Sequence, residues 1–218
     1  MIRVFRFLPV ILTLPFAQGQ AAVDVNVGLG TARSSATGQG IDTLGSATNS
    51  LGSCTPGSTD VNCLATSKLG GVFLGIGGDV MLFQHFGVGA EINVQPTHHD
   101  YGPLRSRQTF IDLNGIFQPI ATKRASLQLQ GGIGSAKTSF VITQTGCVGT
   151  AVCNTSTSAV GSASHFQVHV GAGVQIALTN HLFLRPQFDL HYVPNLTDQY
   201  GRNTVPEATI WFGYHFGE

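Results

Sequence analysis

Charge is what this chain has least of. Its 218 residues carry 11 Lys and Arg against 11 Asp and Glu, 10% in all, where soluble domains carry roughly 25%. The balance gives nothing to attract a nucleic acid. Beyond the N-terminal segment no run of about 18 apolar residues exists, so no helix is available to cross a bilayer. The four cysteines include no CxxC pair. The GxG runs follow strand alternation with no helix after them, so they are not phosphate cradles. A mildly apolar chain with few charges and no helical span has to meet lipid some other way.

The N-terminus has the layout of a secretory signal. MIRVFR supplies Arg3 and Arg6, Phe7 to Phe16 form a ten-residue apolar stretch, and Ala17, Gly19, Ala21 and Ala22 surround the expected cleavage point. Pro9 and Pro15 argue against a buried helix there. Residues 1–21 are therefore expected to be a signal peptide and 22–218 the working domain, with 9 basic and 11 acidic residues once Arg3 and Arg6 are gone. In an exported chain, cysteines at local spacing are expected to form disulfides, Cys54 with Cys63 and Cys147 with Cys153. A zinc site on the same four thiols is the rival reading.

Glycine is abundant, at 28 residues, and it falls into a pattern. In FQVHVGAGVQI (166–176), Phe166, Val168, Val170, Ala172, Val174 and Ile176 alternate with Gln167, His169, Gly171, Gly173 and Gln175. The same period of two runs through 23–32, 72–82, 87–95, 109–118, 126–134, 183–192 and 207–216. That makes eight strands of about ten residues, the length a tilted strand needs to cross a bilayer. Short links at 83–86, 119–125 and 178–182 alternate with long ones at 33–70, 96–106, 136–164 and 193–205. An even strand count with short turns at one end and long loops at the other predicts an all-β fold, an eight-stranded antiparallel up-and-down transmembrane β-barrel. In lipid a sheet satisfies its backbone only by closing. The apolar face then looks outward, and glycines leave room inside for large polar side chains.

These features resemble the eight-stranded outer-membrane barrel family of OmpA-like, OmpX-like and OmpW-like proteins. The carriers are the signal, the eight alternating strands, the loop asymmetry and the C-terminal IWFGYHF. The resemblance implies a cell outer-membrane location and contact with outer-membrane lipids. It also implies that the barrel assembly machinery reads the last strand through Phe212, Tyr214 and Phe216. Gly217 and Glu218 extend past the aromatic end that the family pattern favours. Pro186, in the strand 183–192, is expected to mark a bulge.

Asp79, Glu91, Asp112, His169, Arg185 and Asp189 all take inward positions. They are read as a buried polar network filling a narrow barrel, rather than as an ion-binding or gating core. The acids outnumber Arg185, and neutral carboxyls, water or the inward histidines must absorb the excess. His98, His99 and Asp100 in THHDY are read as polar loop residues, although their types suit a metal. No histidine sits on a lipid-facing strand position, which disfavours a Ser-His-acid hydrolase. The expected function is thus non-enzymatic, without metal or cofactor. The chain is read as a monomeric barrel whose extracellular loops serve surface interaction or envelope integrity, with a possible extracellular ligand. A narrow small-solute channel is the alternative. A soluble lipocalin-like carrier is a third, disfavoured by a polar face poor in Lys and Glu.

Overall fold

The structure is a computed structural model that describes residues 22–34, 68–101, 104–148, 152–196, 200 and 202–216. The expected signal peptide, Cys54 and Cys63 lie outside the described residues. Nine strands form one sheet: β1 Ala22–Ala32, β2 Phe73–Met81, β3 Phe86–Val94, β4 His99–Tyr101, β5 Leu104–Ala121, β6 Ala125–Val148, β7 Val152–Ala177, β8 Leu182–Tyr192 and β9 Thr204–Phe216. All pairings are antiparallel; strands pair their sequence neighbours, except that β3 pairs β5 in place of β4 and β1 pairs β9. The short β4 runs alongside the start of β5, beyond the β3–β5 ladder, so β3 and β4 share one stave. β1 pairs β9 from Val23↔Phe216 to Ala32↔Glu207. The sheet is therefore a closed barrel of eight staves, and closure leaves no edge in the spanning region.

Alternation puts each predicted face where expected. Val25, Val27, Leu29, Ile76, Leu113, Ile133, Val170 and Ile210 are exposed on the outer wall, while Asp24, Asn26, Asp79, Asp112 and His169 are buried inside. Aromatics collect near both ends of the apolar band. Phe83, Phe86, Phe117, Tyr214 and Phe216 lie toward the short turns, with Phe86 and Phe117 stacked at 4.9 Å. Phe166 and Tyr192 lie toward the other end. Such belts suit the headgroup levels of a bilayer.

Two sequence expectations are corrected. Residues 136–164, expected as a loop, are mostly strand: β6 and β7 continue past the barrel as a two-stranded ribbon down to Val148↔Val152. Past Val141, the last residue of β6 paired with β5, Ile142–Val148 spans about 23 Å at ~3.3 Å per residue. The ribbon is exposed from Thr143 to Gly146 and from Cys153 to Ala159, so no period of two marks it in the sequence. β-branched residues and cross-strand hydroxyl pairs hold it instead, Thr145 with Thr155 at 3.1 Å and Thr143 with Thr157 at 3.4 Å. Cys147 and Cys153 stand directly opposite each other at its tip. Part of 96–106, also expected as loop, is likewise strand.

The second correction concerns Pro186. It keeps β8 in unbroken register with β9, as Pro186↔Ile210, and leaves only a gap in the ladder to β7 between Gly173↔Gln187 and Ile176↔Leu184. Proline lacks one N–H, and losing one ladder bond needs no extra residue. The register shift on the proline-bearing strands falls elsewhere, between Phe117 and Ile120, around Pro119.

The loop after β8 turns back over the long-loop end of the barrel. Val193, Leu196 and Tyr200 pack with Leu69, Phe73, Leu104, Phe110 and Phe140 as a buried apolar cluster. Tyr200 Oη donates to Ser106 Oγ at 3.5 Å. Burial pushes its phenol from 10.0 up to about 12, so the folded chain holds that proton more tightly than the unfolded one. The stability this contributes is complete below about pH 10 and is lost as pH climbs through the folded value. Denaturant titrations at pH 9 and pH 11 are expected to show a loss that Tyr200→Phe largely removes.

Candidate functional site

The barrel interior is a column of polar layers between the short turns and the apolar cap. Nearest the turns, Asp24 Oδ1 meets His215 Nδ1 at 2.5 Å, and Gln175 donates to Asp24 at 3.4 Å. These residues line a cavity of about 470 Å³ open at that end, together with Gln118 and Ser126.

Above them sits Arg185, fully buried. Its Nη1 donates to Asp79 Oδ2 at 2.5 Å and Gln128 Oε1 at 3.0 Å, and its Nη2 to Glu91 Oε1 at 2.9 Å. The guanidinium carbon lies 5.8 Å from the centre of the Trp211 ring. Gly28 and Gly75 make this possible, because a Cβ at either would run into the indole. Glu91 Oε2 also accepts from Gln187 Nε2 at 3.1 Å. Among the described residues Asp189 stands in no ion pair; Gln130 and Gln187 each donate to it at 2.8 Å.

The next layer holds the histidines. Asp112 Oδ1 accepts from Gln167 Nε2 at 2.6 Å and lies 3.2 Å from His169 Nδ1. His191 Nε2 lies 3.2 Å from Glu207 Oε2, while Thr209 donates to Glu207 Oε1 at 3.0 Å. The His169 and His191 rings are 5.3 Å apart, and Phe110 stacks on His191 at 4.9 Å under the cap.

The six residues read from the sequence as an interior network thus fall into two adjacent layers. Asp79, Glu91 and Arg185 touch, Asp189 joins them through glutamine amides, and Asp112 and His169 form a separate pair. Gln128, Gln130, Gln167 and Gln187 join these layers through their amides, and their inward strand positions are the signal the sequence carries for them. Alternation alone leaves His191 and Glu207 unconnected, although His191↔Val205 and Asp189↔Glu207 make them near neighbours across β8 and β9. Phe212, Tyr214 and Phe216 are on the lipid side of β9.

Outside the barrel, Arg105 Nη2 donates to the His98 carbonyl at 2.9 Å, and its Nε lies 3.7 Å from Asp100. Partial desolvation, reinforced by Arg107, Arg105 and His99, holds His98 below the ordinary histidine value. Among the described residues, the grouping of three possible metal ligands is Asp112, His169 and His191, not the HHD run.

A sequence model of the outer membrane protein beta-barrel domain matches residues 7–216. Among solved structures, the chain is similar to Neisserial surface protein A, with a TM-score of 0.53 and 13% identity over 90% of this chain and 99% of that one. It is also similar to Ail, the attachment invasion locus protein of Yersinia pestis, solved in complex with the heparin analogue sucrose octasulfate. There the TM-score is 0.52 and the identity 11%, over 91% of this chain and 100% of that one. At these identities the likeness is one of fold. No curated protein matches the sequence.

Proposed function

The chain belongs to the outer membrane protein beta-barrel domain family, and from that membership we propose that it is a non-catalytic surface-interaction protein whose extracellular end does the binding. Its place is the outer membrane, with the apolar wall against lipid. The observation that carries the reading is the β6–β7 ribbon, which continues beyond the barrel with Ser and Thr side chains exposed along it. A lumen filled by Arg185, Trp211 and Phe183 and capped by Leu196 and Tyr200 favours binding over conduction. A Cys147–Cys153 disulfide is part of the proposal, supported by their direct opposition at the ribbon tip. So is insertion by the barrel assembly machinery through the aromatic side of β9, with the barrel working as a monomer.

The ligand class we assign is a sulfated or phosphorylated polyanion. Arg33, Lys68 and Arg202 line one cavity at the rim from which the ribbon rises, and clustered arginines suit such groups. The fold-mate Ail, seen with a sulfated heparin analogue, makes sulfated glycan the first probe. Intact cells displaying the protein are expected to bind fluorescent heparin in a salt-sensitive way. Binding should fall in the triple variant Arg33→Gln, Lys68→Gln, Arg202→Gln, while uptake of a small hydrophilic dye stays at background. Undiminished binding in the triple variant would sink the rim as the site. Absent binding with raised dye uptake would favour the narrow channel.

A further inference from the structure

We propose that the histidine layer is a buried site for a divalent transition-metal ion, with Asp112, His169 and His191 as ligands and Glu207 as the carboxylate that positions His191. One ligand atom from each of the three lies within 4.8 Å of the other two. Two donors bound at about 2.0–2.2 Å around a tetrahedral ion stand roughly 3.3 Å apart. His169 Nδ1 and Asp112 Oδ1 are 3.2 Å apart, which is such an edge. The third corner, up to 4.8 Å away, exceeds it by about 1.5 Å, which is the distance the side chains close on binding.

Three observations separate this from an ordinary buried polar network. The first is what the rings fail to do. Both histidines are more than nine-tenths buried, yet no ring nitrogen makes an aligned hydrogen bond, His169 Nδ1 and His191 Nε2 only standing 3.2 Å from Asp112 and Glu207. The contacts to Asp112 and Glu207 are close but not aligned as N–H donation. A buried polar group without a partner is costly; Asn26 and Asn114 elsewhere in the lumen are unpaired too, but among the described residues it is in this layer that such atoms belong to gathered metal-ligating side chains. Ligand atoms of the right type within 4.8 Å of one another are what an ion requires.

The second is the outer shell. Ligating carboxylates and histidines are usually held by further partners. Here Gln167 holds Asp112, Thr209 holds Glu207, and Glu207 faces Nε2 of His191. That leaves Nδ1 of His191 for the ion. Gly132 and Gly134 on β6 let the strand approach β5 closely, since a Cβ there would strike the Leu113 and Ile111 carbonyls first and then press on His169 and Asp112 respectively.

The third is charge. The described barrel interior buries six acids, Asp24, Asp79, Glu91, Asp112, Asp189 and Glu207, against one arginine. Arg185 is committed to Asp79 and Glu91. Asp112 and Glu207 have no cation except the two histidines, and a divalent ion neutralises them without protonating either ring. Two imidazoles and one carboxylate suit zinc, iron(II), cobalt(II) or nickel(II) rather than calcium or magnesium.

The test uses the untagged full chain refolded in detergent with cobalt(II) or zinc(II). One equivalent of cobalt is expected to bind with ligand-field absorption bands, and one equivalent of zinc to raise the unfolding temperature. His169→Gln or His191→Gln should weaken affinity at least 100-fold, and Glu207→Gln by about 10–100-fold. The double variant His98→Gln, His99→Gln should bind as wild type. Circular dichroism checks that each variant folds. If a histidine variant does not fold, side-chain NMR of the wild type decides, because zinc must shift two imidazoles that the His98, His99 variant retains. No stoichiometric binding, or binding lost with His98 and His99 but kept without His169, would overturn the proposal.

Discussion

Arg185→Met is expected to destabilise the barrel by about 3–5 kcal/mol, because removing one partner of a buried ion pair strands the other. Here two partners are stranded, Asp79 and Glu91, and Gln128 loses a charged donor. Methionine fills much of the arginine's volume, so the loss reads electrostatics rather than a cavity. The chain has one tryptophan, and Trp211 lies beside the guanidinium. Its fluorescence during urea unfolding in liposomes or detergent therefore follows this layer directly. Adding Asp79→Asn and Glu91→Gln to Arg185→Met should restore a large part of the loss, since the two carboxylates that Arg185 paired are then neutral. An unchanged midpoint in the single variant would show that water, not protein, solvates Arg185.

Val170→Arg is the second large effect, at about 2–4 kcal/mol for an arginine on the lipid face near mid-membrane. Val170 is 63% exposed and pairs with Gly131 and Leu190, well inside the spanning part of β7. An arginine placed there has to pull water or headgroups into the hydrocarbon. Ser158→Arg, on the same strand but out on the ribbon, should change stability by less than about 0.5 kcal/mol. The pair thus measures where lipid ends along one strand. Equal effects at both positions would contradict the assigned membrane level.

Strand positions and faces were legible in the sequence because lipid and the lumen impose opposite chemistry on alternate residues. Val25 against Asn26, or Phe212 against Trp211, can be sorted without coordinates. The β6–β7 ribbon was not legible for the converse reason: water lies on both of its sides, so Ser156 and Thr157 carry no contrast. Nor was the cap, since Val193, Leu196 and Tyr200 are spaced by loop geometry rather than by a period. Pro186 misled because its missing N–H was read as an inserted residue, when the strand only loses ladder bonds. The interior was legible as a list and not as a map. Asp112, His169 and His191 come from β5, β7 and β8, and only the stagger of a closed barrel brings them to one level.

The β1–β9 seam has a consequence for the order of assembly. Its first pair, Val23↔Phe216, joins residues 193 apart in the chain, whereas the ribbon tip, Cys147↔Cys153, joins residues six apart. Loop-closure entropy, growing as the logarithm of length, makes the seam costlier by about 3 kcal/mol before any contact offsets it. High-separation contacts form late. The β6–β7 ribbon can zip on its own, and the hairpins beside it extend a growing sheet, but the first strand waits for the last. Until β9 arrives, β1 presents a row of unpaired N–H and C=O groups that hydrocarbon does not tolerate. A host at that edge is what the proposed assembly machinery would supply, until the chain's own final strand takes the vacancy.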